Sequence, residues 1–385
     1  MTYPAVADID FDAFAANLEC VREASGAPHL MAIVKADAYG HGRVKCAQIA
    51  IREGADYLGV AQLGEALTLR QELRQENGAN PRIMAWIYAH DADLAPALDA
   101  DIDLSIGSFA ALDAIEKAAR ATGKTARIHL KVDTAMARGG FDLAELPEAA
   151  ARTRALEAAG LVQTVGLWSH LARADEPDNP LTATQVECFE QARTIVAQAG
   201  IDIELHHLAA SAGILWHPNT HYDMVRPGIA LYGLSPDPAV ATASDLGLKA
   251  VMTLSAPLIR HRDVPAGTGI SYGHTAHTEN PQRLGLVPLG YADGISRSAS
   301  NVAPLVVAGE RTQIIGRVCM DQFVVSIPPE AAEGERAWLF GDAAAGLPTA
   351  DEWAQAMGTI GYELVTQIGV RVPRRFSGAG MGTPA

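Results

Sequence analysis

The 385-residue chain reads as an α/β protein, an N-terminal (β/α)8 barrel of the TIM type over residues 1–245 followed by a mostly-β domain over 246–385. Three observations carry this expectation. Eight short apolar runs recur through the first two-thirds of the chain, most of them separated by a helical stretch. No Gly-x-Gly-x-x-Gly loop follows the first run, which disfavours a doubly wound open sheet, the rival arrangement of parallel strands. After about residue 245 the strand-like runs crowd together between Pro and Gly turns, the texture of an all-β domain.

Taken in order, the chain opens with an amphipathic helix, marked by Phe11, Phe14, Leu18 and Val21 at helical spacing. The eight strand candidates are residues 30–34, 57–61, 82–87, 101–106, 127–132, 164–169, 203–208 and 224–232. Intervening helices are clear at 109–120 and 182–199. Eight parallel strands are the number that closes a barrel. In the second domain, strands are expected at 251–255, 258–260, 284–289, 305–307, 313–320, 322–327 and 338–340, with one short helix at 351–357. The Gly-rich tail 377–385 is expected to be disordered.

Composition narrows the function. A hydrophobic fraction of 49% supports a large core, and a net charge of −15 argues against a nucleic-acid partner. The four cysteines show no Cys-x-x-Cys spacing, against both a disulfide framework and a thiolate zinc site. Asp8, Asp10 and Asp12 stand where a signal peptide would be basic, and no apolar run reaches membrane-spanning length. A cytoplasmic protein with no membrane association is the expectation.

The most informative stretch is Ile33-Val34-Lys35-Ala36-Asp37-Ala38-Tyr39-Gly40-His41-Gly42, where a lysine ends an apolar strand. Desolvation at the lip of a core lowers an ammonium pKa, as a Schiff-base lysine requires. A lone lysine at a strand end is more often a snorkelling side chain. Other strand ends supply company: Lys131 to Arg138 after strand five, Ser169-His170 after six, Ser211 after seven and Arg226-Pro227-Gly228-Ile229 in eight. Barrel chemistry gathers at these carboxyl ends, and the phosphate site is commonly built after strands seven and eight. Lysine and phosphate cradle together describe a pyridoxal-phosphate (PLP) site. Arg226 facing the cofactor's ring nitrogen would only donate a hydrogen bond and leave the ring unprotonated; the alternative is a structural arginine paired with Asp223.

The chain resembles bacterial alanine racemases. The resemblance is carried by residues 32–42, 131–138 and 224–232, by Ile270-Ser271-Tyr272-Gly273 and Gly290-Tyr291-Ala292-Asp293-Gly294, by Gly316-Arg317-Val318-Cys319-Met320-Asp321, and by Tyr362 with Arg371-Val372-Pro373-Arg374. These motifs run in order along nearly the whole chain. The resemblance implies a homodimer that racemises alanine with PLP by two bases, and a role in D-alanine supply for peptidoglycan. Lys35 would anchor the cofactor and act on the D-alanine side, and Tyr272 of a second subunit on the L-alanine side, tuned through His170 and Arg226. Tyr39, Tyr362, Ser211, Gly228 and Ile229 would hold the phosphate. Arg138 would bridge the cofactor's phenolic oxygen and the substrate carboxylate. Met320 would offer its amide to that carboxylate, Asp321 would line the site, and Tyr291 would narrow the entrance. Lys131 matches a lysine that is carbamylated in the family, or is a plain strand lysine paired with Asp133.

Three positions depart from the family pattern. Ala210 replaces an asparagine before Ser211, and Ala135 and Ala137 replace glycines ahead of Arg138. Alanine at a positive φ would cost about 1 kcal/mol at each site. His206-His207 suggests a metal, but neighbours on a strand face opposite ways. His217 and His221 are interrupted by Pro218, and no metal is expected. A PLP-dependent decarboxylase would use a carboxylate at the ring nitrogen, against Arg226. A PLP carrier would consist of the barrel alone. A broader racemase acting also on serine stays open.

Overall fold

The structure, a computed structural model, describes residues 4–78 and 80–378. Most of the tail assigned to disorder, from residue 379 onward, lies outside the described residues. Ser377 does not belong with it, because it ends a strand, Arg374–Ser377.

Contacts divide the chain into two compact units, Leu18–Ala38 with Arg43–Leu231, and residues up to Asn17 with Tyr39–Gly42 and everything from Tyr232 onward. The first is the barrel. Its strands run His29–Ile33, Tyr57–Gln62, Arg82–Ile87, Ile102–Ile106, Ala126–Lys131, Val162–Trp168, Leu205–His207 and Met224–Val225. Neighbours pair in parallel in that order, and the last returns to the first through His29↔Met224 and Leu30↔Val225. A single bridge, Ala210↔Arg226, joins strands seven and eight. Strand eight is far shorter than residues 224–232 because Pro227 has no N–H to give a ladder; the chain turns instead into a 3-10 helix, Ile229–Tyr232. Met31, Val60, Ile83, Leu104, Ile106 and Leu130 are fully sealed from solvent or nearly so. Each such side chain contributes about 1.5–3 kcal/mol.

The second unit holds a nine-stranded sheet ordered Arg260–Val264, Gln282–Val287, Phe323–Ile327, Glu310–Ile315, Pro304–Val307, Arg336–Phe340, Met252–Pro257, Val6–Asp10, Arg374–Ser377. The N-terminal strand Val6–Asp10 therefore belongs here. It pairs antiparallel to Met252–Pro257 and parallel to Arg374–Ser377. The boundary drawn near 245 thus differs from the contact-based division at the N-terminus, at Tyr39–Gly42 and between Leu231 and residue 245, since the second unit takes up the chain from Tyr232. Such pairings join residues hundreds of positions apart, and local periodicity carries no trace of them. The expected strand 313–320 is also divided: it stops at Ile315, and Gly316 at φ 76° turns the chain into a loop bearing Met320. A second helix, Gly361–Gln367, follows the expected one (Ala350–Met357) and carries Tyr362.

Candidate active site

Lys35 stands two residues past Ile33, the end of the first barrel strand. Burial, reinforced by the nearby Arg138 charge, pulls its pKa below the usual lysine value, against the opposing pull of Glu65. The small residues after it form no ordinary loop. Ala36, Asp37, Ala38 and Tyr39 sit at φ 53°, 53°, 54° and 53°, a left-handed turn built without glycine. Such a backbone costs an L-residue roughly 1–2 kcal/mol each and persists only where the surroundings over-determine it. Those surroundings are visible. The Ala38 N–H donates to Val34 O at 2.9 Å, Ala36 N–H to Glu65 Oε1 at 2.7 Å, and Arg43 N–H to Asp37 Oδ1 at 2.9 Å. Gly40, at φ 82°, closes the turn; a Cβ there would lie 2.7 Å from Val365 O, and Arg374 Nε donates to its carbonyl at 3.1 Å. The turn sets Tyr39 against the rings of Tyr232 and Tyr362, at centroid distances of 4.7 and 6.4 Å.

The carboxyl ends of the barrel strands collect positive charge. Arg226 is buried, and its Nη2 donates to Ser169 O at 2.7 Å and Leu208 O at 3.1 Å. Asp223, its alternative partner by sequence, is engaged by His206 Nδ1 at 2.7 Å, so Arg226 is not the arginine of that pair. Among the described residues no carboxylate lies within salt-bridge distance of Arg226. Burial and then Arg138 push its guanidinium down to about 9, still charged at neutral pH. His170 Nδ1 lies 3.4 Å from Arg226 Nη2. Burial, then Arg226, Arg138, Lys35 and Lys131, hold its pKa well below the usual histidine value, so the imidazole is neutral. Gln185 on the helix Leu181–Gln198 fixes the His170 carbonyl at 3.2 Å.

Lys131 lies with its Nζ 4.8 Å over the Trp168 ring. Its pKa is lowered by burial, Arg138 and Arg226, with Asp133 opposing. Asp133 instead accepts from the Met136 and Ala137 N–H groups at 2.8 and 3.2 Å, pinning the loop that presents Arg138. In that loop Ala135 and Ala137 adopt φ 76° and 54°, the left-handed conformation their glycine counterparts would accept without strain. Arg138 itself is exposed. Across the mouth, Ser211 Oγ accepts from the Gly228 and Ala230 N–H groups at 3.0 and 3.3 Å, so the hydroxyl and the start of the Ile229–Tyr232 turn are gathered in one place. His217 and His221 are structural: His217 Nε2 meets Ala174 O at 3.1 Å and His221 Nε2 meets Ile214 O at 3.0 Å. No group of three metal-ligating side chains occurs among the described residues.

The candidates from the β domain form a second cluster, within the second unit. Tyr272, Tyr291 and Met320 are 71%, 45% and 53% exposed, unusual for large apolar side chains. Ser271 Oγ donates to Arg317 O at 2.7 Å, tying the Tyr272 turn to the Met320 loop. Tyr291 N–H and Ala292 N–H donate to Cys319 O and Met320 O at 3.1 and 3.0 Å, an approach only Gly290 permits, since a Cβ there would lie 2.3 Å from Met320 O. Arg371 completes the cluster, with Nη2 on Asp321 Oδ1 at 2.8 Å and Nε on Asp293 Oδ1 at 3.0 Å.

Residues 9–236 match the family described as alanine racemase, N-terminal domain, and residues 251–376 its C-terminal domain. The chain belongs to the alanine racemase family. Among its relatives, the alanine racemase of Beutenbergia cavernae is 50% identical over 379 residues, covering 97% of this chain and 98% of the relative. That of Thermobifida fusca is 48% identical over 376 residues, with the same coverage. The solved alanine racemase from D-cycloserine producing Streptomyces lavendulae superposes with a TM-score of 0.95 at 45% identity, covering 98% of both chains.

Against that family frame, sequence reasoning gave no role to four features that lie next to the candidate residues. Gln185 was hidden as one polar residue on a helix, and Arg371 and Arg374 were noticed only as motif members. The left-handed turn after Lys35 carries no local signal, because alanine, aspartate and tyrosine do not favour that conformation. Arg374, by contrast, is recoverable once its four carbonyl acceptors are seen: Gly40, Ile368, Gly369 and Val372, at 3.1, 2.6, 2.7 and 2.9 Å.

Proposed function

We propose that the protein interconverts L- and D-alanine with PLP as cofactor, supplying D-alanine for peptidoglycan, as a cytoplasmic homodimer whose subunits share each active site. The carrying observation is the barrel mouth. In a chain of net charge −15, four cationic side chains (Lys35, Lys131, Arg138 and Arg226) all act on one neutral histidine. That donor set fits a ligand bearing a phosphate and a carboxylate.

PLP, linked to Lys35 Nζ, would supply the electron sink that makes the Cα proton of an amino acid removable. Ser211 with the Gly228 and Ile229 amides would hold its phosphate, joined by the hydroxyls of Tyr39 and Tyr362. Arg226 would only donate toward the ring nitrogen and so would orient the ring without protonating it. Arg138, exposed and ahead of the strained loop, would take the substrate carboxylate in its planar fork, with the Met320 amide of a second subunit. Inversion at Cα needs a proton lost from one face and returned on the other. Lys35 Nζ, whose lowered pKa favours the free amine, serves one face. Tyr272 Oη of the second subunit would serve the other, tuned through neutral His170 and the Arg226 charge behind it. The exposure of Tyr272, Tyr291 and Met320 in a single chain supports their use against another copy. Asp321 and Tyr291 would border the entrance and admit a side chain as small as methyl. A lowered Lys131 pKa also favours carbamylation, since carbon dioxide adds to the neutral amine.

A D/L interconversion assay over alanine, serine and larger amino acids tests the function. Alanine turnover well above all others is expected; comparable serine turnover would widen the substrate class, and absence of racemisation would overturn the reading.

A further inference from the structure

Barrel interiors are ordinarily filled by branched aliphatic side chains. Here a file of polar groups runs through the core behind Arg226. Arg226 Nη1 lies 3.1 Å from His207 Nδ1, and His207 Nε2 lies 3.0 Å from His129 Nδ1. His129 Nε2 lies 3.5 Å from Asp103 Oδ2, and Arg127 Nε donates to Asp103 Oδ1 at 2.6 Å. Arg82 Nε stands 3.8 Å from Asp103 Oδ2. His207, His129 and Asp103 are completely buried. Burying such groups is costly unless every one is satisfied.

The backbone makes room for the file. Gly166 faces His129, and a Cβ there would lie 2.1 Å from its Nδ1; the strand register also shifts between Ile128 and His129. The rings are held from the side. Trp168 stacks on His207 at 5.8 Å and 2°, Arg226 lies 5.1 Å over the same Trp168 ring, and Tyr57 meets His129 edge-on at 6.0 Å.

Donor and acceptor chemistry orders the whole file. A guanidinium only donates, so His207 Nδ1 must accept from Arg226. A neutral His207 then carries its proton on Nε2 and donates to His129 Nδ1. His129 in turn carries its proton on Nε2 and donates to the Asp103 carboxylate. We propose that Asp103, His129 and His207 are positioning residues that set the direction of every hydrogen bond behind Arg226 and so hold its guanidinium in place for the ring nitrogen. This role rests on the assignment of Arg226 to that nitrogen. The positive charges facing His207 are those of Arg226 and, when protonated, its neighbours His129 and His206; with burial they hold its pKa well below the usual value, in keeping with a neutral ring.

Asp103→Asn reverses the file. Arg127 only donates, so the asparagine oxygen stays on Arg127 and its NH2 turns to His129. His129 Nε2 must then accept, both histidines switch to the Nδ1-protonated tautomer, and His207 presents a proton to Arg226. The same logic makes an Asp-to-Asn change select the wrong histidine tautomer in catalytic triads.

The test is 15N NMR of histidine-labelled holoenzyme together with racemisation kinetics. In the unaltered protein His129 and His207 are expected neutral and Nε2-protonated; an Nδ1-protonated or imidazolium form of either overturns the proposal without any variant. Asp103→Asn should flip both tautomers and lower kcat about 10- to 100-fold, the range for losing a partner that orients a functional ligand. KM for alanine should hold, because Arg138 and Met320 remain. Flipped tautomers with unchanged kcat would reduce the file to a structural role and overturn the proposal. Should Asp103→Asn not fold, His207→Phe keeps a ring on Trp168 and removes both the acceptor facing Arg226 and the donor facing His129; it should show the same kcat loss, and unchanged kcat overturns the proposal. Absence of racemisation in the unaltered holoenzyme would instead count against the racemase reading, which the tautomer spectrum does not address.

Discussion

The barrel unit and the second unit treat their candidate side chains in opposite ways. At the barrel mouth Arg226, His170 and Lys35 are wholly or partly buried; burial and the Arg138 charge perturb all three, and His170 also feels Arg226 and Lys35. On the second unit Tyr272, Tyr291 and Met320 lie open to solvent in the single chain. A buried aspartate marks the same contrast. Burial works to raise the Asp103 pKa, yet the His129 hydrogen bond and the charges of Arg127 and Arg82 bring it below the ordinary value. Asp351 in the second unit has only a 3.4 Å contact from the Ser235 N–H and a like charge in Asp237, and burial pushes it up to about 6. The difference is that the barrel gathers its candidate residues in a buried, charged mouth, whereas the second unit leaves its own exposed, as the proposed use against another copy requires.

The largest expected effect breaks the barrel half. Lys35→Ala should remove the visible absorption band of the bound cofactor and lower racemisation by more than about ten-thousandfold, since anchor and base are lost together. A band that survives would take Lys35 out of its role. Next in size, Tyr272→Phe should cut turnover about a hundred- to ten-thousandfold while the band remains. Mixing Lys35→Ala and Tyr272→Phe chains then sharpens the comparison. Hybrid dimers would contain one site with both intact residues and recover activity, whereas a mixture that stays inactive would place both halves in one chain.

A smaller effect separates the two aspartates. The folded-state pKa of Asp351 is raised to about 6, so its carboxyl is neutral in both states below about pH 3.8 and no penalty exists there. Stability is lost as pH rises through 6, and Asp351→Asn should recover about 1–3 kcal/mol at pH 8 and nothing at pH 3.5. Urea unfolding at the two pH values measures this. Asp103→Asn should have the opposite sign at pH 8. The smallest effect concerns the Arg138 loop. Ala135→Gly or Ala137→Gly relieves roughly 1–2 kcal/mol of left-handed strain against about 0.4–1 kcal/mol of added chain entropy. A net gain of about 0.5–1 kcal/mol is expected in the unfolding midpoint, and a loss would show that the loop's strain lies elsewhere.

Much of the site was legible because its chemistry sits at strand ends, where apolar runs stop. Lys35, Arg138, His170, Ser211 and Arg226 each follow or close such a run, and alternation places them on one rim. The doubt over Ala135 and Ala137 was also legible, since alanine in place of a family glycine ahead of Arg138 asks whether φ is positive, and it is. Whether Arg226 pairs with Asp223 was not legible. Both choices satisfy the local pattern, and only the approach of His206 to Asp223 decides between them.

By itself the sequence determined the barrel, its eight strands and the polar residues at their ends, because periodicity and strand termination are local properties of the chain. Tertiary structure alone decided three things: the placement of Val6–Asp10 in the nine-stranded sheet, the left-handed turn after Lys35, and the polar file from Arg226 to Asp103. Each depends on groups far apart in sequence. Strand pairing, the over-determination of a strained turn and the direction of a buried hydrogen bond are set by what meets in space, so no local pattern records them.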